Sequence, residues 1–302
     1  MNNENKYKSK KLVRLCIHLA FIIMCILIIV PFVLTIAISL SSEKDIYTYG
    51  YRLIPKKIDL SAYKLLFSAP EVILNSYIVT ISVVVIGTPL GLLITAMIGY
   101  VISRNDYRYK KILTFYVVFT MLFSGGMVSY YMTMTRVLHV QNTVWALILP
   151  GLVSAYYVIL MRGFMSDIPM EIIESAKIDG ASEVKIFAKL ILPLSKPALA
   201  TIGLFMAFNY WNEWYNALLF MDGDIIVPLQ LLLVRMLNSV DAMTSNPQVL
   251  QQMMLNGMDL STIPTLSLRM ATAIVAVGPM LIVFPFFQKY FTKGITLGSV
   301  KG

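Results

Sequence analysis

The sequence predicts an all-α, polytopic membrane protein: six transmembrane helices, with a charged helix-turn-helix loop between the fourth and the fifth. Three observations lead there. Apolar runs recur along the chain, most of them near the roughly 20 residues that cross about 30 Å of hydrocarbon. Only 14% of the residues are charged against 58% hydrophobic, with a mean hydropathy of +0.73, where a soluble domain carries about 25% charge. One stretch, 162–197, interrupts the apolar pattern with regularly spaced charge.

The spans are expected at 15–40, 72–102, 112–134, 143–161, 198–221 and 268–287, within one domain covering 1–302. Before the first span stand Lys6, Lys8, Lys10, Lys11 and Arg14, which also suit a signal peptide. A signal peptide's apolar core is about 7–15 residues long; this run is longer and holds Pro31, so it reads as an uncleaved helix. Basic residues mark the cytoplasmic ends of spans. With the N-terminus inside, most of the 25 Lys and Arg fall inside, including Arg104, Arg108, Lys110, Lys111, Lys177, Lys185, Lys189 and Lys293. Both termini and the loop 162–197 are therefore expected in the cytoplasm of a plasma-membrane protein, and a long loop, 222–267, outside. The net charge of +9 then follows from topology, with membrane lipid as the surroundings and no nucleic acid as partner.

No catalytic chemistry is legible. Cys16 and Cys25 lie about 13 Å apart along one helix, too far to bridge, and His18 and His139 lack metal-ligand spacing, so no metal is expected. The sequence holds no phosphate-binding loop, nucleophile elbow or H-E-x-x-H run. The chain is read as a non-enzyme without a cofactor of its own.

Within the loop, Pro169 suits the first turn of a helix, and Glu171 and Glu174 favour its positive end. Ile172, Ile173 and Ala176 form an apolar face. Asp179-Gly180 ends the helix, glycine being the usual residue for a left-handed terminus. Ser182 is placed to cap a second helix, 183–190, with Ile186, Phe187 and Leu190 on one side, before Pro193 and Pro197. Two readings fit: an amphipathic element lying on lipid, or one that docks on a protein. A lipid-binding element has a basic polar face. Here Arg162, Lys177, Lys185, Lys189 and Lys196 are matched by Asp167, Glu171, Glu174, Asp179 and Glu183, which favours docking.

The fifth span carries Asn209, Trp211, Asn212, Glu213, Trp214 and Asn216. A carboxylate inside a span is costly and points to a functional site. On one helix, Asn209, Asn212, Glu213 and Asn216 would form a single polar stripe, and the aromatic planes beside it suit a sugar. An interfacial aromatic belt with polar helix packing fits equally well.

The run Glu174-Ser-Ala176-Lys-Ile-Asp179-Gly180-Ala181, then Phe187, Pro193 and Pro197, resembles the EAA loop of ABC importer permeases, departing with Ser175 where alanine is usual. The Trp211–Tyr215 run resembles the carbohydrate-uptake, maltose-importer-type class. Ser124-Gly125-Gly126, Asn142–Ala146 and the tail from Phe287 resemble its Gram-positive oligosaccharide branch. The resemblance covers almost the whole chain and matches the smaller permease of the usual pair. It implies ATPase coupling through Glu174, Ala176, Asp179, Gly180, Ala181 and Phe187, and a substrate path along Asn209, Trp211, Asn212, Glu213, Trp214 and Asn216. It further implies a second homologous permease, two copies of an ABC ATPase holding ATP and Mg, and an extracellular lipoprotein that binds the sugar. Oligosaccharide import by alternating access is the expectation. A monosaccharide or sugar-derivative importer, and an ion-driven secondary transporter, are the alternatives. By the same resemblance Lys301 and Gly302 touch the ATPase, and the outer loop around 244–252 probes the binding protein.

Overall fold

A computed structural model describes residues 2–223, 226–246, 248, 251 and 264–298. Among them no strand forms, and the β pairing is an isolated bridge between Ser41 and Ile58. Three helices are long and apolar enough to cross a membrane: Val13–Ser39, Pro70–Ser103 and Leu266–Pro285. Three further apolar segments are pairs of helices meeting at a short break, so the number of spans lies between three and six. The chain divides into two compact units, Met1–Ala69 with Arg235–Val277, and Pro70–Val234 with Gly278–Gly302.

In the first unit, α1 (Asn2–Ser39) exposes apolar side chains all round, from Val13 to Val33. A helix apolar on every face is one made for lipid or for burial by neighbours. Ser39 and Ser41 return their hydroxyls to Ile36 and Ala37 carbonyls, and Ser39 also meets the Tyr63 hydroxyl at 2.9 Å. Ser42 caps the short α2 (Glu43–Tyr49) by accepting the Asp45 N–H. A second short helix, α3 (Ser61–Leu66), follows.

Glu43 is the polar anchor of this unit. Only 3% exposed, its carboxylate accepts from Thr265 Oγ1 (2.6 Å), Leu266 N (2.9 Å), Ser267 N (3.1 Å) and Ser267 Oγ (2.8 Å). These donors sit at the start of a long helix beginning at Leu266, where free N–H groups and the helix dipole both favour a negative charge. Removing the carboxylate strands buried donors. Glu43→Ala is expected to cost about 3 kcal/mol, read as a fall in Tm in detergent, with Glu43→Gln intermediate.

The second unit is built on α4 (Pro70–Ser103). Its buried positions, among them Ser76, Thr80, Gly87, Gly91, Thr95 and Gly99, recur at three or four residues and are mostly small. Small residues on a membrane helix let neighbouring backbones approach closely. A Cβ placed on Gly91 would stand 2.8 Å from the Leu152 carbonyl oxygen. Gly87 and Gly151 leave a slot for the Tyr210 ring, whose hydroxyl donates to the Ile148 carbonyl at 2.9 Å. The main partners of α4 are α8 (Ala155–Ser166) and α12 (Lys196–Trp211), each preceded by other helices of the unit: α5 (Lys110–Leu122), α6 (Gly126–Met132) and α7 (Val144–Ile148) before the first, α9 (Met170–Ile178), α10 (Glu183–Ile186) and α11 (Leu192–Leu194) before the second.

Three expected spans are not single rods. The stretch 112–134 is cut where α5 meets the helix that begins at Gly126, at 112°. Gly126 adopts a φ of +79°, which needs glycine and turns the chain. The stretch 143–161 bends by 48° after the tight turn Leu149–Gly151. The stretch 198–221 ends as a helix at Trp211 and resumes as α13 (Tyr215–Phe220). The stretch 222–267 contains α14 (Leu229–Ser245), whose Leu229 N–H is held by buried Thr80 Oγ1 at 2.8 Å. The final helix is α15 (Leu266–Gly298). Positions 247, 249, 250 and 252 of the stretch 244–252, together with Lys301 and Gly302, lie outside the described residues.

Candidate functional site

The loop begins as α9, which turns at Asp179 and Gly180 into α10. The Ala181 N–H reaches the Ala176 carbonyl and the Gly180 N–H the Lys177 carbonyl, both at 3.0 Å. With Gly180 at φ +76°, this is the Schellman closure of a helix, in which a left-handed residue lets two later amides satisfy the last carbonyls. The D-G-A residues thus have separate tasks: Asp179 ends the helix, Gly180 reverses the chain and Ala181 closes the outer hydrogen bond. Ser182 then accepts the Lys185 N–H and caps α10 as expected. The second helix does not stop at 190. It continues through a wider turn at Phe187–Ile191 into Leu192–Leu194, with Pro193 just past that wider turn.

Ile173, Ile186 and Ile191 are buried against Ala96, Tyr100, Met161 and Met165, with Ala176, Ala181 and Phe187 packed at the edge. The Phe187 ring lies 5.5 Å from that of Tyr100. The opposite side is open: Glu174, Asp179 and Gly180 are exposed, and two large apolar residues flank the turn, Ile178 at 87% and Val184 at 76% exposure. The six residues assigned to coupling therefore divide, with Ala176, Ala181 and Phe187 seating the loop and Glu174, Asp179 and Gly180 facing out.

Sequence reading missed what binds the loop to α4. Arg104, just beyond the end of that helix and 7% exposed, bonds both oxygens of Asp106, the Tyr100 hydroxyl (2.6 Å) and Glu183 (3.0 Å). Lys177 reaches Glu183 at 3.0 Å and Asp106 at 3.3 Å. The Arg104 hydrogen bond holds the Asp106 carboxyl well below the usual carboxylate range. From the sequence, Arg104 marks topology, and Lys177 and Glu183 count toward the balanced charge of the loop.

The residues assigned to a substrate path do not form one stripe. Asn212 ends α12 and spends its amide on the Phe208 carbonyl of its own helix at 2.9 Å. Glu213 accepts the Asn216 N–H at 2.7 Å, capping the start of α13. The break has no proline or glycine; it is stabilised by this carboxylate, which takes an amide freed where the helix stops. Asn216 also accepts from the Tyr130 hydroxyl at 2.6 Å, and Asn209 donates to the Tyr157 hydroxyl at 2.7 Å. Trp211 is 6% exposed and lies 6.3 Å from the Tyr77 ring, whereas Trp214 is 41% exposed. The structure thus brings Glu213, Asn216 and Tyr130 together and places Asn209 with Tyr157.

Comparison with known proteins follows this geometry. No family model matches the chain. It is 39% identical over 284 residues to the polygalacturonan/rhamnogalacturonan transport system permease protein YtcP of Bacillus subtilis, covering 94% of this chain and 95% of that one. It is 36% identical over 274 residues to the protein LplC of the same organism, covering 91% and 90%. Identity to the arabinooligosaccharides transport system permease protein AraQ of Bacillus subtilis is 26%, covering 96% of both. Among solved structures, a chain of a bacterial ABC transporter that imports the acidic polysaccharide alginate superposes with a TM-score of 0.77 at 26% identity, over 94% of this chain and 98% of that one.

Proposed function

The chain belongs to the permease subunits of ABC sugar and oligosaccharide importers, and from that premise we propose that it forms one half of an ATP-driven pathway for oligosaccharides in a bacterial plasma membrane. Six spans cross the bilayer in this reading, with 112–134, 143–161 and 198–221 each counted as one despite its break, and with both termini and the loop 162–197 in the cytoplasm. A second permease completes the pore, two ABC ATPase subunits drive it, and an extracellular lipoprotein delivers the sugar. The chain itself performs transport and no covalent chemistry.

The observation that carries the docking half of this reading is the tip of the loop. Ile178 and Val184 stand in the open on either side of a sharp, hydrogen-bonded turn, beside exposed Glu174. Exposed apolar residues grouped on a rigid turn are the anchors of a protein contact. Docking there lets closure of the ATPase pair push on α4 and α8 through Ile173 and Ile186, and the pore alternates between facing in and facing out.

The substrate half rests on relatives. Polygalacturonan/rhamnogalacturonan, arabinooligosaccharides and alginate appear in their names, and we take an oligosaccharide, with an acidic pectic fragment as the first choice. In proteoliposomes holding both permeases, the ATPase and the binding protein, uptake of labelled digalacturonate is expected to require ATP and to survive an uncoupler. Ile178→Asp is expected to cut ATPase co-purification by about tenfold, the loss of roughly 1.4 kcal/mol of contact. Uptake that survives ATP depletion but collapses with the uncoupler overturns the mechanism.

A further inference from the structure

Arg104, Asp106, Lys177 and Glu183 form a closed ring of alternating charge. Arg104 Nε bonds Asp106 Oδ1 at 2.7 Å, and its Nη1 bonds Glu183 Oε2 at 3.0 Å. Lys177 closes the ring between Glu183 Oε1 and Asp106 Oδ2. The ring touches three elements at once: Arg104 follows the last residue of α4, Lys177 lies in the last turn of α9, and Glu183 opens α10. Beneath it the contact is apolar, Phe187 on Tyr100 and Ile186 on the same cluster.

Those two layers do different things. An apolar contact resists separation but not sliding or rotation, because the hydrophobic effect has no direction. A guanidinium is a rigid planar fork whose donors fix the angle as well as the distance of what they hold. Arg104 uses that fork on three partners and has little exposed surface to move into. Glu174, facing out from the same loop, takes no part in the ring, so engagement of the tip need not break it.

We propose that Arg104 fastens the loop Met170–Leu194 to the end of α4 so that the two move as one body when the ATPase subunits close. Arg104 acts as a positioning residue, through Glu183 and Lys177, and the inference rests on reading that loop as the docking element. With the ring intact, displacement of the tip arrives at α4 undiminished, and α4 carries it to α8 and α12. With the ring opened, the loop turns on its apolar seat and part of the stroke is lost.

Distance measurement in the complete transporter tests this. Spin labels at Met97→Cys on α4 and Leu194→Cys at the loop's end, each at an exposed position, are placed in a Cys16→Ser, Cys25→Ser background. In lipid, without nucleotide and with ATP trapped on a non-hydrolysing ATPase, the native chain is expected to show one unchanged distance. Arg104→Gln is expected to shift it by several ångströms or split it between the states. Arg104→Gln with Glu183→Gln is expected to do no more than Arg104→Gln alone. Asp106→Asn, at a more exposed position, gives a smaller change of the same kind and serves if Arg104→Gln does not assemble. A native distance that changes as much as the variant's, or a variant indistinguishable from native, overturns the proposal. Failure of the docking reading looks different: the ATPase then stays bound after Ile178→Asp, whatever the labels report.

Discussion

Gly180→Asp is expected to abolish ATP-driven uptake, by about 30-fold or more, while the chain still folds and inserts. The argument has two sides. Within the chain a Cβ on Gly180 meets nothing within 4 Å, so no packing is lost. The cost is confined to the positive φ of +76°, about 1–2 kcal/mol for most residues and less for aspartate, which tolerates this region. At the tip, however, a carboxylate stands in the centre of the proposed contact, between Ile178 and Val184. Burying an unpaired charge at the middle of a protein contact costs 2 kcal/mol or more, which is about 30-fold. Uptake in proteoliposomes and the Tm in detergent, measured together, separate the two. Normal uptake with normal folding would remove the tip from the coupling mechanism.

Gly91→Ala is expected to damage the fold itself, by about 3 kcal/mol. Its added methyl would stand 2.5 Å from Met206 Cε, which can swing away, and 2.8 Å from the Leu152 carbonyl oxygen, which cannot. Backbone must therefore part from backbone, and α4 must move off the turn before α8. The control is Gly163→Ala on α8, where a Cβ meets nothing within 4 Å and helix propensity alone favours alanine by up to about 1 kcal/mol. A clear loss of Tm at position 91 beside no loss at 163 is the expected pair of results. Equal behaviour at both would mean the interface is softer than the α4 contacts imply.

Much of this was legible in the sequence, for identifiable reasons. Length and hydropathy located the apolar segments because lipid imposes a single requirement on every face of a helix. Asp179-Gly180 and Ser182 were legible because caps and left-handed turns are local, decided within about five residues. The break at Asn212–Trp214 was not. Polar residues continue through it at three and four, and its cause is a carboxylate capping the next helix and a tyrosine from 86 residues away. The charge ring was hidden for the same reason, since Arg104 and Glu183 are 79 residues apart. Gly87, Gly91, Thr95 and Gly99 were in plain view as a small-residue repeat, and only their neighbours told which backbones they admit.

The interrupted helices carry one more consequence, for how water meets this chain. A continuous helix satisfies its own amides and leaves nothing for a solvent molecule to hold, whereas each interruption frees amides and carbonyls that hydrocarbon cannot solvate. Near Phe123–Gly125 and Leu152–Ser154, as at Asn212–Trp214, such groups must be met by neighbouring protein or by water. Each bend can therefore present main-chain polarity to water where an unbroken helix would present none.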